Sequence, residues 1–594
     1  MLSLLSEHLD IWTAAPVTKA NGGRGRVSAA NRSPYGIKKL RELILELAVH
    51  GQLVEQNPND EPVSVLLEKI TKEKVRLIKE GKIKKQNPFP KISEEEKPFE
   101  LPNGWRFVRL GELTNRIGSG STPRGGKSAY EETGIPFLRS QNIWNHGLEL
   151  EEVVYISDDT HQKMSNTVVE PNDILLNITG ASLGRCTVYP EEIGEANVSQ
   201  HVSIIRPTDS DTRFYLHLCI LSPYTQSLVW GRQVGMAREG LSKKVLELFE
   251  LPLPPLAEQH RIVAKVDELM ALCDQLEQQQ GDSSATHQTL VEKLLATLTT
   301  AADHQEFAES WHRIAGHFDT LFTTEESIDQ LKQTILQLAV QGKLVPQDPN
   351  DEPASVLLEK IAKEKDRLIK EGKIKKEKNL EMIAKREEPF GLPEGWIFIR
   401  LAELSKLITK GSSPKWQGIN YTEDPVDVLF VTSENVGSYG LKLDSRKYVE
   451  KEFNKIEPRS ILEKGDFLMN IVGASIGRTA IYDLDEIANV NQAVCLIRVF
   501  YEFVASQYLL YFFNSEICLS YMFDKQVDNA RANLSMGNIA KFVIPLPPLA
   551  EQHRIVAKVD ELMAFCDKLK AKLIHSQEQS EKLIDAMFQQ LLVA

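Results

Sequence analysis

The chain has 594 residues, which is too long for one hydrophobic core, so several structural units are expected. Hydrophobic residues make up 42% and charged residues 26%, and no apolar run reaches the length of a membrane span, which excludes a membrane-spanning class. The net charge of −13 differs from the usual basic footprint of a nucleic-acid-binding protein, although a local basic face on an acidic chain can suffice.

Residues 1–10 lack the basic start and the apolar core of a secretory signal, so we expect a cytoplasmic protein. The cysteines are scattered and form no C-x-x-C pair, which indicates buried thiols and no metal site or disulfide framework. They are Cys186, Cys219, Cys273, Cys495, Cys518 and Cys566.

The sequence is internally duplicated. Residues 37–85 align without gaps on residues 328–376, with 36 of 49 positions identical. A second block, P-L-P-P-L-A-E-Q-H-R-I-V-A-K-V-D-E-L-M-A, occurs at 252–271 and again at 545–564, with every residue matched. The segments between these blocks diverge strongly, so the repeat predicts two similar halves with different central domains.

The repeated blocks are predicted to be helical. Leu40, Ile44 and Leu47 lie on one helix face that Gly51 ends, and a second helix is expected over 63–79. In the later block Ile262, Val266 and the apolar positions that follow are spaced as in a coiled-coil seam. The same spacing follows Ile555, and we expect the two seam-bearing helices to pair with each other.

The divergent segments, 99–255 and 390–548, contain short β-rich runs separated by Gly, Pro, Asn and Asp. Each begins with L-P-x-G-W and ends at P-L-P-P. The fold class is therefore predicted as α+β, with two mixed α/β domains separated by paired long coiled-coil helices. The expected domains are 1–98 and 256–389 (helical), 99–255 and 390–548 (mixed), and 549–594 (helical).

Motifs of catalysis are weak or absent. Residues 121–128, S-T-P-R-G-G-K-S, end like a phosphate-binding loop, but Ser121 stands where that pattern requires glycine, and no helical periodicity follows. N-P-F-P at 87–90 has the wrong order for an amino-methyltransferase motif. His260 and His553 lie on a predicted polar helix face. We expect no catalytic residue and no metal site, and we keep a weak NTPase and a protein-binding scaffold as alternatives.

The block L-P-P-L-A-E-Q-H-R-I-V-A-K-V-D-E-L-M, placed after each of two variable segments, resembles the conserved regions of the specificity subunits of type I restriction–modification enzymes. The helical region with P-N-D-E-P and K-E-G-K-I-K-K resembles the type IB subgroup. The resemblance covers about residues 37–592. It implies a non-catalytic subunit whose two target recognition domains each recognise one half of a split, asymmetric DNA sequence. It also implies that the long coiled-coil helices between these domains are antiparallel, with a pseudo-two-fold axis that relates the two halves.

The resemblance also implies partners. Two modification subunits would dock on the conserved helices and carry S-adenosylmethionine, and two restriction subunits would add ATP- and Mg-dependent translocation and cleavage. The geometry agrees, because a coiled coil of roughly 24–30 residues spans about 36–45 Å, and half-sites one helical turn apart lie roughly 34–36 Å from each other. The docking residues expected at the start of the repeated helices are Glu258, Gln259, Arg261, Glu551, Gln552 and Arg554.

Candidate DNA contacts lie in four short islands that the two variable segments share: G-S-T-P and G-S-S-P, F-L-R-S-Q-N and F-V-T-S-E-N, G-A-S-L-G-R and G-A-S-I-G-R, and Q-V-x-x-A-R twice. Small hydroxyls suit phosphates, and Arg, Gln or Glu suit base edges. The predicted contacts in the first segment are Ser121, Thr122, Arg139, Ser140, Gln141, Asn142, Ser182, Arg185, Arg232, Gln233, Arg238 and Lys243. Those in the second are Lys410, Ser412, Ser413, Lys415, Ser433, Glu434, Asn435, Ser475, Arg478, Gln526 and Arg531.

Structural alternatives remain open for several of these positions. The first and third islands are equally consistent with plain glycine turns, and Asn142 and Asn435, which both copies share, are consistent with a role in the fold. The K-I-K-K tails at 82–85 and 373–376 are better explained as solvated helix ends than as phosphate contacts. The first segment has 14 Lys and Arg against 19 Asp and Glu, so its DNA face must be a concentrated patch.

Overall fold

The computed structural model describes Trp12 and residues 34–233, 240–302, 304–375, 380–524 and 534–593. The chain divides into two compact units, one formed by residues 1–283 with 576–594 and the other by residues 284–575. Each unit therefore holds one of the divergent segments, called here the first domain (99–255) and the second domain (390–548). The combination of helices and sheets confirms the α+β class.

Eighteen helices lie in the described part of the chain. They are α1 (Tyr35–Val49), α2 (Val63–Lys79), α3 (Leu110–Leu113), α4 (Asp158–Lys163), α5 (Arg213–Leu221), α6 (Pro223–Gly231), α7 (Lys243–Glu247), α8 (Leu256–Thr300), α9 (His304–Gly316), α10 (Phe318–Leu321), α11 (Glu325–Val340), α12 (Ala354–Lys370), α13 (Leu401–Leu404), α14 (Glu452–Ile456), α15 (Ser506–Phe513), α16 (Glu516–Asp524), α17 (Met536–Ala540) and α18 (Leu549–Val593). Among the described residues, no helix combines the length and the apolarity that crossing a membrane requires.

The strands fall almost equally into the two domains. The first domain contains β1 (Arg106–Arg109), β2 (Thr114–Ser119), β3 (Ile135–Leu138), β4 (Ile143–Trp144), β5 (Gly147–Leu148), β6 (Val154–Ile156), β7 (Val168–Val169), β8 (Ile174–Asn177), β9 (Cys186–Val188), β10 (Ala196–Val198), β11 (Val202–Pro207) and β12 (Glu250–Leu253). The second contains β13 (Ile397–Arg400), β14 (Ser405–Lys410), β15 (Tyr421–Thr422), β16 (Val428–Val431), β17 (Tyr448–Val449), β18 (Phe467–Asn470), β19 (Thr479–Ile481), β20 (Ala488–Val490), β21 (Val494–Val499) and β22 (Val543–Leu546).

Each domain has two four-stranded sheets, and the second sheets differ in one outer strand, because β7 lies beside β10 in the first domain whereas β15 lies beside β17 in the second. In the first domain the strand orders are β2-β11-β8-β9 and β6-β3-β10-β7, and in the second they are β14-β21-β18-β19 and β15-β17-β16-β20. The first sheet of each pair is antiparallel, whereas β3 with β10 and β16 with β20 run parallel. The first and last strands of each domain, β1 with β12 and β13 with β22, pair antiparallel and bring the domain ends together.

The glycine stops predicted for the repeated helices are confirmed. Gly51 follows α1 with φ +70°, and the amide of Gln52 donates to the carbonyl of Leu47 at 2.9 Å. Gly342 does the same after α11, with the amide of Lys343 donating to Leu338 at 2.9 Å. These bonds satisfy carbonyl groups that the helix end would leave unpaired, and glycine adopts the required positive φ at little cost. The second predicted helix, 63–79, matches α2.

The seams of the long helices bury against more than one partner. In the first unit, Ile262 and Cys273 of α8 share a buried cluster with Ile584 and Phe588 of α18 and also with Leu40 of α1. The predicted pairing of the long helices is therefore accompanied by packing of each seam against the helix that precedes its own domain. A single 3.5-residue seam in the sequence does not reveal a second packing partner.

Ion pairs hold the same helices together at equivalent positions. Arg41 Nη2 lies 2.7 Å from Asp274 Oδ1 in the first unit, and Lys332 Nζ lies 2.5 Å from Asp567 Oδ1 in the second. Residues 256–283 of α8 and 576–593 of α18 belong to the first unit, and the remaining residues of both helices belong to the second. Each unit thus contains the beginning of one long helix and the end of the other.

The repeated motif at the start of each long helix attaches that helix to its domain. Trp105 of L-P-x-G-W donates from Nε1 to Glu258 Oε2 at 3.0 Å, and Trp396 donates to Glu551 Oε2 at the same distance. Burial raises the pKa of both carboxyl groups. Gln552 Nε2 donates to the carbonyl of Pro547 at 2.9 Å.

These contacts correct the docking assignment. Glu258, Gln259, Glu551 and Gln552 are at most 2% exposed, so their side chains are not available to a partner. An identical motif in both copies is explained here by an identical intramolecular contact. The other two predicted docking residues are ion-paired: Arg261 with Asp60 and Arg554 with Asp351, each at 2.7 Å.

Replacement of Trp396 by Phe should destabilise the second unit, because the buried Glu551 carboxyl then loses its indole donor. An unsatisfied buried polar group costs about 1–3 kcal/mol, so the thermal unfolding midpoint of the purified chain should fall. Trp311→Phe is the control, since that indole is 43% exposed. Equal midpoints for the two variants would contradict a structural role for the Trp396–Glu551 bond.

Candidate nucleic-acid interface

Strand directions bring the shared islands to one edge of each domain. In the first domain β2 ends, β8 ends and β11 begins at the same side of the antiparallel sheet, and β3 and β10 end together in the parallel pair. The segments that follow these ends are 120–123, 139–142, 178–185 and 199–201. The second domain has the corresponding segments 411–414, 432–435, 471–478 and 491–493. We call each set the loop edge of its domain.

A buried asparagine joins the second and third islands. Asn177, at the end of β8, donates from Nδ2 to the carbonyl of Ser140 at 2.8 Å, while its amide donates to Arg185 O at 2.8 Å. Asn470 repeats these bonds to Ser433 O and Arg478 O, both at 2.9 Å. Both asparagines are fully buried. Sequence reasoning missed them, although Asn precedes the G-A-S-x-G-R island in both copies.

The first island is a close backbone approach. A Cβ at Gly120 would lie 1.8 Å from the carbonyl oxygen of Val198, and one at Gly411 would lie 1.7 Å from that of Val490. These glycines are thus required by packing. The amide of Ser121 donates to Val198 O at 3.2 Å and is not directed at solvent, whereas the Ser121 and Thr122 side chains are exposed.

Ser412 departs from its prediction as a DNA contact. It is buried, and its Oγ accepts from Gln417 Nε2 at 3.1 Å. Its neighbour Ser413 is half-buried, and Lys410 and Lys415 on either side are exposed. The first island of the second domain therefore presents cations more than hydroxyls.

The shared asparagines of the second island serve the fold. Asn142 Oδ1 accepts from the amide of Arg139 at 2.9 Å, and Asn435 Oδ1 accepts from the amide of Thr432 at 3.0 Å. Both are almost completely buried, so their assignment as DNA contacts is wrong. Both side chains also donate to carbonyl groups across the loop, which fixes its shape.

The other side chains of this island are accessible. Gln141 is exposed and donates to Glu152 Oε2 at 3.2 Å, and Glu434 is exposed and accepts from Lys447 Nζ at 2.9 Å. Arg139, half-buried, donates from Nη2 to Glu152 O at 2.9 Å. Ser140 and Ser433 are half-buried, and their carbonyl groups accept from the buried asparagines.

The arginine of the third island is held differently in the two domains. The Arg185 guanidinium lies 3.6 Å from the ring centroid of Trp144, and the Trp144 indole donates to the carbonyl of Gln141 at 2.9 Å. Arg478, the counterpart of Arg185, is exposed, and Gly437 stands where the first domain has Trp144. Ser182 and Ser475 are half-buried in their turns.

The fourth island lies largely outside the described residues, which exclude Arg238, Gln526 and Arg531. Its described flanks join the third island, because Leu241 donates its amide to Ile178 O and Leu534 donates to Ile471 O, each at 3.0 Å.

Two predicted contacts beside this segment have structural partners. Arg232, half-buried, pairs with the buried carboxylate of Glu250 at 2.9 Å, which gives it a structural contact, and its role at DNA stays a prediction. Lys243 is exposed and lies 3.4 Å from Glu247. Gln233 is half-buried and donates to Trp230 O at 3.2 Å.

A polar chain at the first loop edge has no sequence signature that we recognised. Thr122 donates to Gln200 Oε1, Gln200 Nε2 lies 3.0 Å from His201 Nε2, and His201 Nδ1 lies 2.5 Å from Thr179 Oγ1. This series of side-chain contacts connects three loops and leaves the Gln200 amide exposed. In the second domain, Ala493 and Val472 occupy the places of His201 and Thr179 and cannot continue it.

Several basic side chains at or beside the loop edges form no ion pair within the described residues, whereas many others in the same domains are paired. In the second domain, ion pairs to Asp or Glu engage Lys406, Arg446, Lys447, Lys455, Arg459, Lys464 and Arg498. Within the described ranges, Lys410, Lys415 and Arg478 form no ion pair. Arg124, Lys127 and Arg185 are likewise without one in the described part of the first domain. An acidic chain thus presents a local basic face.

The phosphate-loop alternative fails on geometry. Gly126–Ala129 is a single 3₁₀ turn, and the next regular element is the strand β3, so the α-helix N-terminus that a phosphate-binding loop requires is missing from this described stretch.

Comparisons with known proteins find a matching family. A family model described as "Type I restriction modification DNA specificity domain" matches residues 102–283 and 393–578. The specificity subunits of the Escherichia coli type I restriction enzymes EcoAI and EcoEI are each 38% identical to this chain, and each alignment covers 98% of both proteins.

Solved structures give a weaker likeness. A chain solved in work on complex assembly of the type I R-M system is 19% identical, covers 83% of this chain and 99% of its own length, and superposes with a TM-score of 0.47. The family model matched in both halves and the relatives matched along the whole length establish that the chain belongs to the specificity subunits of type I restriction enzymes.

Proposed function

We propose that this chain is the sequence-specific DNA-recognition subunit of a type I restriction–modification complex, and that each loop edge recognises one half of a bipartite, asymmetric site. The observation that carries the proposal is the pair of loop edges itself. Asn177 and Asn470 hold the same loops in the same way, while the exposed side chains on those loops differ. A constant framework with variable surface groups suits recognition of two different sequences.

The differences fall where base readout needs them. Gln141 in the first domain is replaced by Glu434 in the second, and an amide that suits adenine thereby becomes a carboxylate that suits cytosine. Arg185 is held against Trp144, whereas Arg478 extends into solvent. A stacked guanidinium is pre-oriented for a base edge, and a free one suits phosphate.

The proposal assigns chemistry to other subunits. This chain is non-catalytic, S-adenosylmethionine belongs to two modification subunits, and ATP and Mg belong to two restriction subunits. The long helices set the spacing between half-sites, and their exposed faces give two equivalent docking surfaces for the modification subunits. The subgroup is type IB, and the complex is cytoplasmic. The repeated contacts Arg41–Asp274 and Lys332–Asp567 support equivalent docking surfaces, since they shape both units alike.

Coexpression of the chain with its modification subunits should place N6-methyladenine at one bipartite motif, because the loop edges direct the methyltransferase to that site. Single-molecule sequencing of host DNA measures the motif. Exchange of residues 99–255 for those of a relative should change one half of the motif only. Scattered methylation, or complexes whose gel shifts ignore DNA sequence, would favour the protein-binding scaffold instead.

Arg478→Ala should weaken DNA binding by the complex and reduce the slope of log K against log salt by about 1, because one phosphate contact is lost. Arg446→Ala is the matched control, since Arg446 is exposed in the same domain but pairs with Glu486 at 2.6 Å. Fluorescence anisotropy at several salt concentrations measures both slopes. A slope for Arg478→Ala equal to that of Arg446→Ala would exclude Arg478 from the interface.

A further inference from the structure

Trp416 is the most exposed tryptophan side chain of the described residues, at 76% relative exposure. Large aromatic side chains are normally buried because they carry so much apolar surface. Single exposed apolar residues are common on protein surfaces and need no special explanation. The argument for Trp416 therefore depends on how its backbone is held and on what surrounds it.

The turn that carries Trp416 is anchored on both sides. Pro414, at its beginning, is buried, and Ile419, at its end, packs in a cluster with Phe430 and Phe453. The amide of Ile419 donates to Pro414 O at 3.0 Å, and that of Trp416 donates to Ser413 O at 3.1 Å. The indole thus stands on a rigid support, although no described ring or cation packs against it.

The residue after Trp416 locks the turn to the domain. Gln417 Nε2 donates to Ser412 Oγ and to Glu457 Oε1, each at 3.1 Å. Ser412 is buried, which removes it as a DNA contact. Its hydroxyl instead stabilises the segment that carries Trp416, because it accepts the bond from Gln417. The anchored turn fixes the backbone from which the indole projects, so less backbone entropy is lost when the indole binds.

The surroundings of Trp416 identify the partner chemistry. The turn, Pro414–Gln417, continues the 411–414 segment of the second loop edge. Lys410 and Lys415 flank it, both exposed and both without an ion pair in the described ranges. Cations without an ion pair beside an exposed aromatic plane match the two parts of duplex DNA, phosphates outside and base faces inside. Two such lysines favour an anionic partner over an apolar protein surface.

The first domain has no tryptophan at the corresponding position. Gly125 and Gly126 occupy the places of Trp416 and Gln417, both with positive φ, +100° and +58°. The two loop edges therefore differ in kind at this position, and only the second presents an aromatic plane there.

We propose that Trp416 inserts its indole at a base step in the half-site that the second domain contacts, and so determines specificity through the ease with which that step opens. The inference rests on the proposed function. Insertion of apolar side chains partly unstacks base steps, and pyrimidine–purine steps unstack most easily. The second half-site is then recognised partly by deformability, whereas the first depends on direct contacts.

The test uses the chain in complex with its modification subunits and a duplex that carries the methylated motif. 2-Aminopurine is placed in turn at positions of each half-site other than the methylated adenines. On binding of the wild-type complex, fluorescence should rise at one step of the second half-site. Trp416→Ala should abolish that rise and weaken binding about tenfold, and Trp416→Phe should retain most of both effects.

Val426→Ala is the matched control, because Val426 is 69% exposed in the same domain but precedes β16, at the end opposite the loop edge. Probes in the first half-site should respond equally in every variant. Affinity and fluorescence of Trp416→Ala equal to those of Val426→Ala would overturn the inference while leaving the proposed function intact. Loss of modification subunits from the Trp416→Ala complex would overturn it in favour of a protein contact. A wild-type complex that does not prefer its motif to a scrambled duplex would overturn both.

Discussion

The side-chain amide of a fully buried asparagine, Asn177 in the first domain and Asn470 in the second, is the contact on which the recognition surface depends. Each donates to a carbonyl group in a neighbouring loop at 2.8 or 2.9 Å and ties two islands to the end of one strand. Because these bonds use backbone acceptors, they place no demand on the exposed side chains of the loops. The loops can therefore vary in sequence while keeping their geometry, which is the property that two different half-sites require.

The described basic side chains also divide into those that are paired with acidic residues and those that are left unpaired at the surface. The chain carries −13 overall, and in both domains acidic side chains neutralise many of the basic ones, as Asp466 does for Arg498 and Asp173 does for Arg206, at 2.7 Å in each case. The cations left unpaired at the loop edge, such as Lys415 and Arg478, then act in a local field that bulk charge does not reveal. Repulsion from the acidic remainder would also oppose binding away from the loop edge.

The sequence predicted the duplication, the fold class, the helix stops at Gly51 and Gly342, and the islands that meet at the loop edge. It could not separate supporting from exposed residues within those islands, because Asn142 and Ser412 have the same polar character as the exposed residues beside them and only burial distinguishes them. The Trp105–Glu258 bond joins residues 153 positions apart, so local patterns cannot show it. A docking role for Glu258 was a reasonable inference from repetition, but identical contacts inside each unit explain the same repetition.

Site-specific photocrosslinking tests the central claim most directly. A photoreactive amino acid replaces Gln141 or Glu434 at the two loop edges, or Val426 at the opposite end of β16, and the complex with its modification subunits is irradiated on a duplex that carries the motif. The account predicts crosslinks from position 141 to one half-site, from position 434 to the other, and none from position 426. Crosslinks from position 426, or crosslinks from 141 and 434 to the same half-site, would contradict it.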